Sequence, residues 1–227
     1  MKNSNKAQEQ PYKGVIRAEE ILVSVKDVPS PIDFRDRTDA KEWAQSALQK
    51  RPDRPVFFDK FAQEISAHRS IERVLELGSG PGFLIAHLLE RTHVKEYVAL
   101  DFSAAMHELA RTHLRGSNGR VSFIERNFKV RGWTAGLEKF DCVVTNQSVH
   151  ELRHKSYASK LHSEVRDLLR DKGVYLVNDH FAGSDGMSNN ELYMTKEEHK
   201  EAMLAAGFAE VTALLTQSKM LLLRAVK

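Results

Sequence analysis

The stretch Val74-Leu75-Glu76-Leu77-Gly78-Ser79-Gly80-Pro81-Gly82 decides how this chain is read. An apolar run of strand length passes into a glycine-rich turn, and a helix-period segment, Phe83-Arg91, follows at once. Glycines let a backbone pass close to a ligand, and a helix start offers free N–H groups to the ligand's polar parts. A tight strand-to-helix turn that binds nothing has the same local pattern, so the next segment has to discriminate. That segment, Tyr97-Asp101, ends in a carboxylate nineteen positions after Gly82. An acid at the carboxyl end of the adjacent strand can accept both hydroxyls of an unphosphorylated ribose. The simpler alternative is that Asp101 belongs to the cap of a helix starting at Ser103.

Outward from this centre, short apolar runs alternate with helix-period segments from Glu72 to the C-terminus, the pattern of a sheet covered by helices on both faces. The expected strands are Arg73-Leu77, Tyr97-Asp101, Val121-Glu125, Asp141-Thr145, Val174-Asn178, Ala209-Leu215 and Met220-Ala225. Helices are expected near Phe83-Arg91, Ser103-Leu114, Lys155-Arg170, with Gly173 as its stop, and Lys196-Ala206. Only a short turn around Thr216-Ser218 joins the last two strands, so they pair antiparallel. The fold class is therefore α/β, a doubly wound seven-stranded sheet that is mostly parallel with its last strand antiparallel. Ahead of it lies a helical leader. Thr38 is placed to cap a helix carrying Trp43, Ala44, Ala47 and Leu48, and Pro52 and Pro55 precede a second helix with Phe57, Phe58, Phe61 and Ile65. Residues 1–14 read as a frayed polar start, 15–70 as the leader and 71–227 as the core. Val15 to Val28 shows no clean period and stays unassigned. Trp43, Phe57 and Phe58 fit either an apolar lid or ordinary packing.

The 227 residues suit one α/β domain, and 41% hydrophobic with 29% charged content is ordinary for a globular chain. Lys plus Arg number 34 against 31 Asp plus Glu, a formal charge of +3 with no long basic run, so neither nucleic acid nor a membrane surface is an expected partner. Met1 to Gln10 lacks the apolar stretch of a signal peptide, no run approaches a membrane span, and a cytoplasmic location is expected. Cys142 is the single cysteine, in the apolar string Asp141-Cys142-Val143-Val144, and reads as a buried inert thiol.

Glu76-x-Gly78-x-Gly80-x-Gly82 followed by Asp101 resembles the class I, Rossmann-like methyltransferases that depend on S-adenosylmethionine (SAM), over about two-thirds of the chain. The resemblance includes the antiparallel last strand, which separates these enzymes from nicotinamide dehydrogenases. It implies that Glu76 and the turn Gly78, Ser79, Gly80 and Gly82 surround the methionine part of SAM, and that Asp101, with Phe102 beside it, holds the ribose end. After the third strand the family commonly has an acid facing the adenine amino group. Here the stretch is Glu125-Arg126-Asn127-Phe128, where the Asn127 amide oxygen can accept that bond and Phe128 adjoins it. Asn146 and Gln147, at the end of the fourth strand, complete the implied cofactor set.

Beyond Gln147, Ser148-Val149-His150-Glu151-Leu152 has no proline-rich turn of the kind found in base- and glutamine-directed methyltransferases. It looks like the Leu-His-His-type segment of small-molecule methyltransferases. Leu168-Leu169-Arg170-Asp171-Lys172-Gly173 stands where these tend to have a Leu-Lys-Pro-Gly-Gly turn. His150-Glu151-Leu152-Arg153-His154 also matches His-Glu-x-x-His, the zinc helix of metalloproteases, but it falls at a strand-to-helix junction without an identifiable third ligand, so no metal is expected. His150, Asp179 and His180 lie at neighbouring strand ends and can face one pocket, as a general base and its partners or as a cluster that only bonds loops. His68, His87 and His199 fall on helical segments without partners and read as surface residues. The resulting expectation is methyl transfer from SAM to an O, N or C nucleophile of a small molecule. A SAM-binding module without transferase activity and a metal-assisted enzyme using His150 and His154 are the alternatives. The oligomeric state, a homodimer included, is left open.

Overall fold

The computed structural model describes residues 25–116 and 119–227. The frayed start expected at 1–14, and most of the unassigned 15–28, lie outside the described residues. Helices α1 (Arg37–Lys50) and α2 (Arg54–Ala67) precede β1 (Arg73–Leu77), α3 (Phe83–Arg91), β2 (Glu96–Asp101), α4 (Ala104–His113) and β3 (Val121–Glu125). There follow β4 (Phe140–Asn146), two 3-10 turns at Val149–Leu152 and Lys155–Tyr157, α5 (Ala158–Leu168), β5 (Leu169–His180), α6 (Lys196–Ala205), β6 (Glu210–Gln217) and β7 (Met220–Val226). The seven strands form one sheet in the order β3-β2-β1-β4-β5-β7-β6. Only β7 runs against the others, slotted between β5 and β6. This is the expected doubly wound class, with the last strand antiparallel.

Alternation along the strands divides the core. Leu75, Leu77, Val143, Tyr175 and Val177 face α5 and α6, whereas Val74, Tyr97, Val144 and Leu176 face α2 and α3. Strand order reverses between β1 and β4, and β1 pairs β2 and β4 in register, so Leu77 lies level with both Leu100 and Thr145. The carboxyl ends of β1, β2, β4 and β5 therefore open on one crevice, the position where open α/β sheets take ligands. Among the described residues no helix is long and apolar enough to cross a membrane.

Several local expectations change. Asp36, not Thr38, caps α1, its carboxylate accepting from the N–H groups of Thr38 and Asp39. Leu48 points outward at 44% exposure, because α1 buries only the stripe of Ala40 and Ala47, the former against Ala105 and Met106 of α4. Helix α5 stops at Leu168 rather than near Arg170, and Gly173 is no helix stop. Strand β5 begins at Leu169, and its register shifts before Val174. A Cβ on Gly173 would sit 2.8 Å from the Arg170 carbonyl oxygen, so the glycine permits a tight bulge. Strands β6 and β7 run further than expected, leaving Ser218-Lys219 as a two-residue turn with both φ values positive, the primed geometry that matches strand twist. His199 is buried, with Nε2 3.0 Å from the His180 carbonyl oxygen, because α6 turns that face onto β5. His68 and His87 are half-buried, and His87 meets the Asp59 carboxylate at 2.9 Å.

Candidate functional site

At the end of β1 the chain takes left-handed backbone at Gly78, Gly80 and Gly82. A Cβ on Gly78 would stand 2.3 Å from the Ser148 Oγ, and that hydroxyl donates to the Gly78 carbonyl at 3.2 Å, tying the end of β4 to the turn. Gly78→Ala should therefore destabilise the fold by about 2 to 4 kcal/mol, from left-handed strain plus overpacking. Urea unfolding would show this as a lower midpoint at unchanged slope. Gly80 has open space where a Cβ would be, and Ser79 beside it is 4% exposed with its hydroxyl unpaired. Gly82 does not reach the cavity; it lets α3 pack on Ala110 of α4 and on Leu114 just beyond that helix.

The turn forms one wall of a cavity of about 890 Å³. Asp101 lies beside it, its carboxylate accepting from the N–H of Gly80 at 2.8 Å and of Ser103 at 2.9 Å. Both alternatives read from the sequence are thus present in part: Asp101 joins the start of α4 and still faces the cavity with unused lone pairs. Burial raises its pKa, opposed by those N–H groups. Glu76 is more deeply enclosed; burial raises its pKa well above the carboxylate range, and the Tyr97 hydroxyl donates to it at 2.8 Å. Phe102 and Phe128 also line the cavity, with the Arg35 guanidinium 4.7 Å from the Phe102 ring centre. Asn127 does not line it, and its side-chain oxygen accepts from the Lys129 N–H at 2.9 Å. Asn146 and Gln147 reach the cavity; Asn146 accepts from the Asn178 amide at 2.8 Å.

His150, on the 3-10 turn after β4, also lines the cavity. Asp179, at the end of β5 and 1% exposed, accepts from the His150 backbone N–H at 2.9 Å and meets the ring Nδ1 at 2.5 Å. Burial alone would lower the His150 pKa, but the Asp179 and Glu151 carboxylates overcome it and raise it to about 10. Burial pushes Asp179 up, but the His150 charge and hydrogen bond, joined by the His180 and His199 charges, together hold it below the carboxylate range. His180 behaves oppositely. Burial lowers it to about 4, Asp179 opposing and the His150 charge assisting, and its Nδ1 donates to the Lys219 carbonyl at 3.2 Å. His150 and His180 both line the cavity, with Tyr193 5.5 Å from the first ring and 5.8 Å from the second, whereas Asp179 stands behind them. His150 is held towards its imidazolium form, because a buried carboxylate brought from 29 positions away pairs with it.

The leader supplies a further part of the lining. Val28 to Phe34 cross it, held by the Arg153 guanidinium on the carbonyls of Val28 at 2.9 Å and Pro29 at 2.7 Å. Trp43 and Phe58 reach the cavity, while Phe57 is wholly core. Sequence reasoning missed Arg54, which opens α2 and is 4% exposed against the cavity; a polar position in a first helical turn gave no sign of burial. Cys142 is enclosed, and burial pushes its thiol pKa far up, as an inert thiol requires. The His-Glu-x-x-His segment is not one helix. Arg153 turns left-handed at φ 67°, and His154 points elsewhere, accepting from the Ser156 N–H at 3.1 Å. Among the described residues no group of three or more His, Cys, Asp or Glu side chains is arranged around a metal position.

Residues 74–173 match the family model described as a methyltransferase domain. The matched segment runs from β1 into β5, and the sheet order is that of the Rossmann-like methyltransferase fold. Over 139 residues the chain is 30% identical to a protein of Salinispora arenicola (strain CNS-205) named as a probable nonribosomal peptide synthetase, CymA; the match covers 61% of this chain and 2% of that one. An O-methyltransferase family protein from Burkholderia thailandensis superposes with a TM-score of 0.70 at 19% identity, over 86% of this chain and 61% of that one. The DhpI structure, a complex with S-adenosylhomocysteine (SAH), gives a TM-score of 0.64 at 21% identity, over 83% and 91%. At such identities these structures establish the fold, and the roles of individual residues rest on the geometry above.

Proposed function

We propose that this chain methylates an acidic oxygen of a small molecule, with SAM as donor and the His150–Asp179 pair at the acceptor end. The observation that carries this reading is one cavity lined by the glycine turn, Asp101 and His150 together. The residues fit the donor. The unpaired Ser79 hydroxyl and the open space at Gly80 suit a polar ligand lying on the turn. Glu76, Gly78, Ser79 and Gly80 would hold its methionine part, Asp101 the ribose, and Phe102 with Phe128 the flat base. Gly82 would serve through packing. SAM, when bound, supplies a methyl carbon on a sulfonium whose thioether leaves without a proton.

The remaining work is the chain's own. The leader excludes water, and the walls hold the acceptor close to the methyl group, which can replace much of the entropic barrier. His150 manages the acceptor's proton. Its imidazolium pairs with an acceptor that arrives ionised, and its neutral form, the stronger base for being beside Asp179, takes the proton of one that does not. An ammonium acceptor is disfavoured beside that charge. The names of neighbours such as the Burkholderia protein agree with an oxygen acceptor.

The test is calorimetry with SAH, followed by a metabolite screen for SAH release. Micromolar SAH binding and turnover on hydroxy acids or phenols are expected; absence of SAH binding would end the reading. Metal analysis of untagged protein should find no stoichiometric zinc, because the break at Arg153 separates His154 from His150.

A further inference from the structure

The corner between α1 and α2 holds a charge that no described carboxylate neutralises. Arg54 is 4% exposed. Its Nη2 donates to the Gln147 side-chain oxygen, its Nε has no partner, and its guanidinium lies 5.5 Å from the Trp43 ring centre. Arg51 and Lys50 adjoin it, and all three line the cavity. Burial, with the Arg51 charge adding to it, lowers the Arg54 pKa to about 10, as for a cation short of a counter-charge. A buried guanidinium is costly unless an anion completes it, and its planar fork matches a carboxylate held by two parallel N–H bonds.

We propose that Arg54, flanked by Arg51, is a carboxylate-binding subsite of this cavity. The inference rests on reading the cavity as a site for SAM and an acceptor. Each can bring the carboxylate: SAM through its methionine end, and an acidic acceptor through its own group. Position and charge favour the acceptor. Arg54 leans on Gln147, whose backbone N–H donates to the Asn178 carbonyl near the end of β5 at 2.7 Å. The Arg51 charge is felt at His180 and Tyr193, on the His150 side of the cavity. SAM also brings two positive groups for its single carboxylate, so three cations at this corner exceed what the donor alone balances.

Arg54→Met keeps the apolar stem and removes the charge. The ligand-free variant should melt no lower than the parent, since an uncompensated buried charge is gone; a clearly lower Tm would mark Arg54 as structural and overturn the proposal. On SAH-loaded protein, 4-fluorobenzoate followed by fluorine NMR should bind about tenfold or more weakly to the variant. The neutral 4-fluorobenzamide should not distinguish the two proteins, and Arg54→Lys should recover part of the benzoate affinity. If the donor is the source, Arg54→Met instead weakens SAH about tenfold or more and leaves 5′-methylthioadenosine, which lacks the carboxylate, unchanged. Equal SAH affinity together with equal 4-fluorobenzoate binding would overturn the subsite. Failure of the parent protein to bind SAH would instead overturn the methyltransferase reading.

Discussion

His150→Gln is expected to lower turnover roughly 10² to 10⁴-fold while SAH affinity stays within a few-fold, because the ring lines the cavity and the proposed function gives it to the acceptor rather than to the donor. Glutamine is preferred to alanine. Removing one partner of a buried pair costs about 3 to 5 kcal/mol of stability, and the glutamine amide can still donate to Asp179. Single-turnover rates beside SAH titrations separate chemistry from binding; normal turnover would reduce His150 to a structural residue. Asp179→Asn tests the charge. Without the carboxylate the His150 pKa should fall back towards 6.5, so with an acceptor ionised at neutral pH the alkaline loss of activity should move down from near pH 10. Stability follows the same linkage. The folded pKa of His150 lies above its unfolded value, so its contribution is full below pH 6.5, declines above it and is gone once pH passes about 10. Asp179, held below 3.8, contributes fully above that value and loses its share as pH falls through its lowered pKa. The stability gap between the parent and His150→Gln should therefore narrow from pH 6.5 to 10.

Asp101→Ala should weaken SAH by about 1 to 3 kcal/mol, the cost of leaving polar partners unmet. The same change strands the N–H groups of Gly80 and Ser103, so a comparable loss of stability is expected. Calorimetry should show the affinity loss at a temperature well below the variant's own Tm. Unchanged affinity would move the ribose away from β2. Asp101→Asn, which keeps one acceptor oxygen, should fall between the two.

Strand positions were legible because each ends in a marked junction, such as Gly78 after β1, Asp101 in β2 and Asn146 in β4. Errors gathered where long-range geometry overrides local pattern. Gly173 reads as a helix stop, yet it serves a bulge whose need arises only when β5 pairs with β4. His199 reads as a polar helix position, and its burial depends on which face of α6 meets β5. Asn127 was assigned a ligand, but the turn in which its oxygen accepts from the Lys129 N–H keeps it out of the cavity lining.

From the sequence alone came the sheet class, the antiparallel last strand, the glycine turn, and the candidate set around Asp101, His150, Asp179 and His180, since period, turn chemistry and spacing are local properties. The charge states and the burial of Arg54 belong to tertiary structure. Two histidines three-dimensionally adjacent to one carboxylate end as one cation and one neutral ring. Arg54 becomes a buried cation only when α2 folds against Gln147, 93 positions away. Proton affinity is set by desolvation and by charges brought near through folding, and neither is encoded in a residue's immediate neighbours.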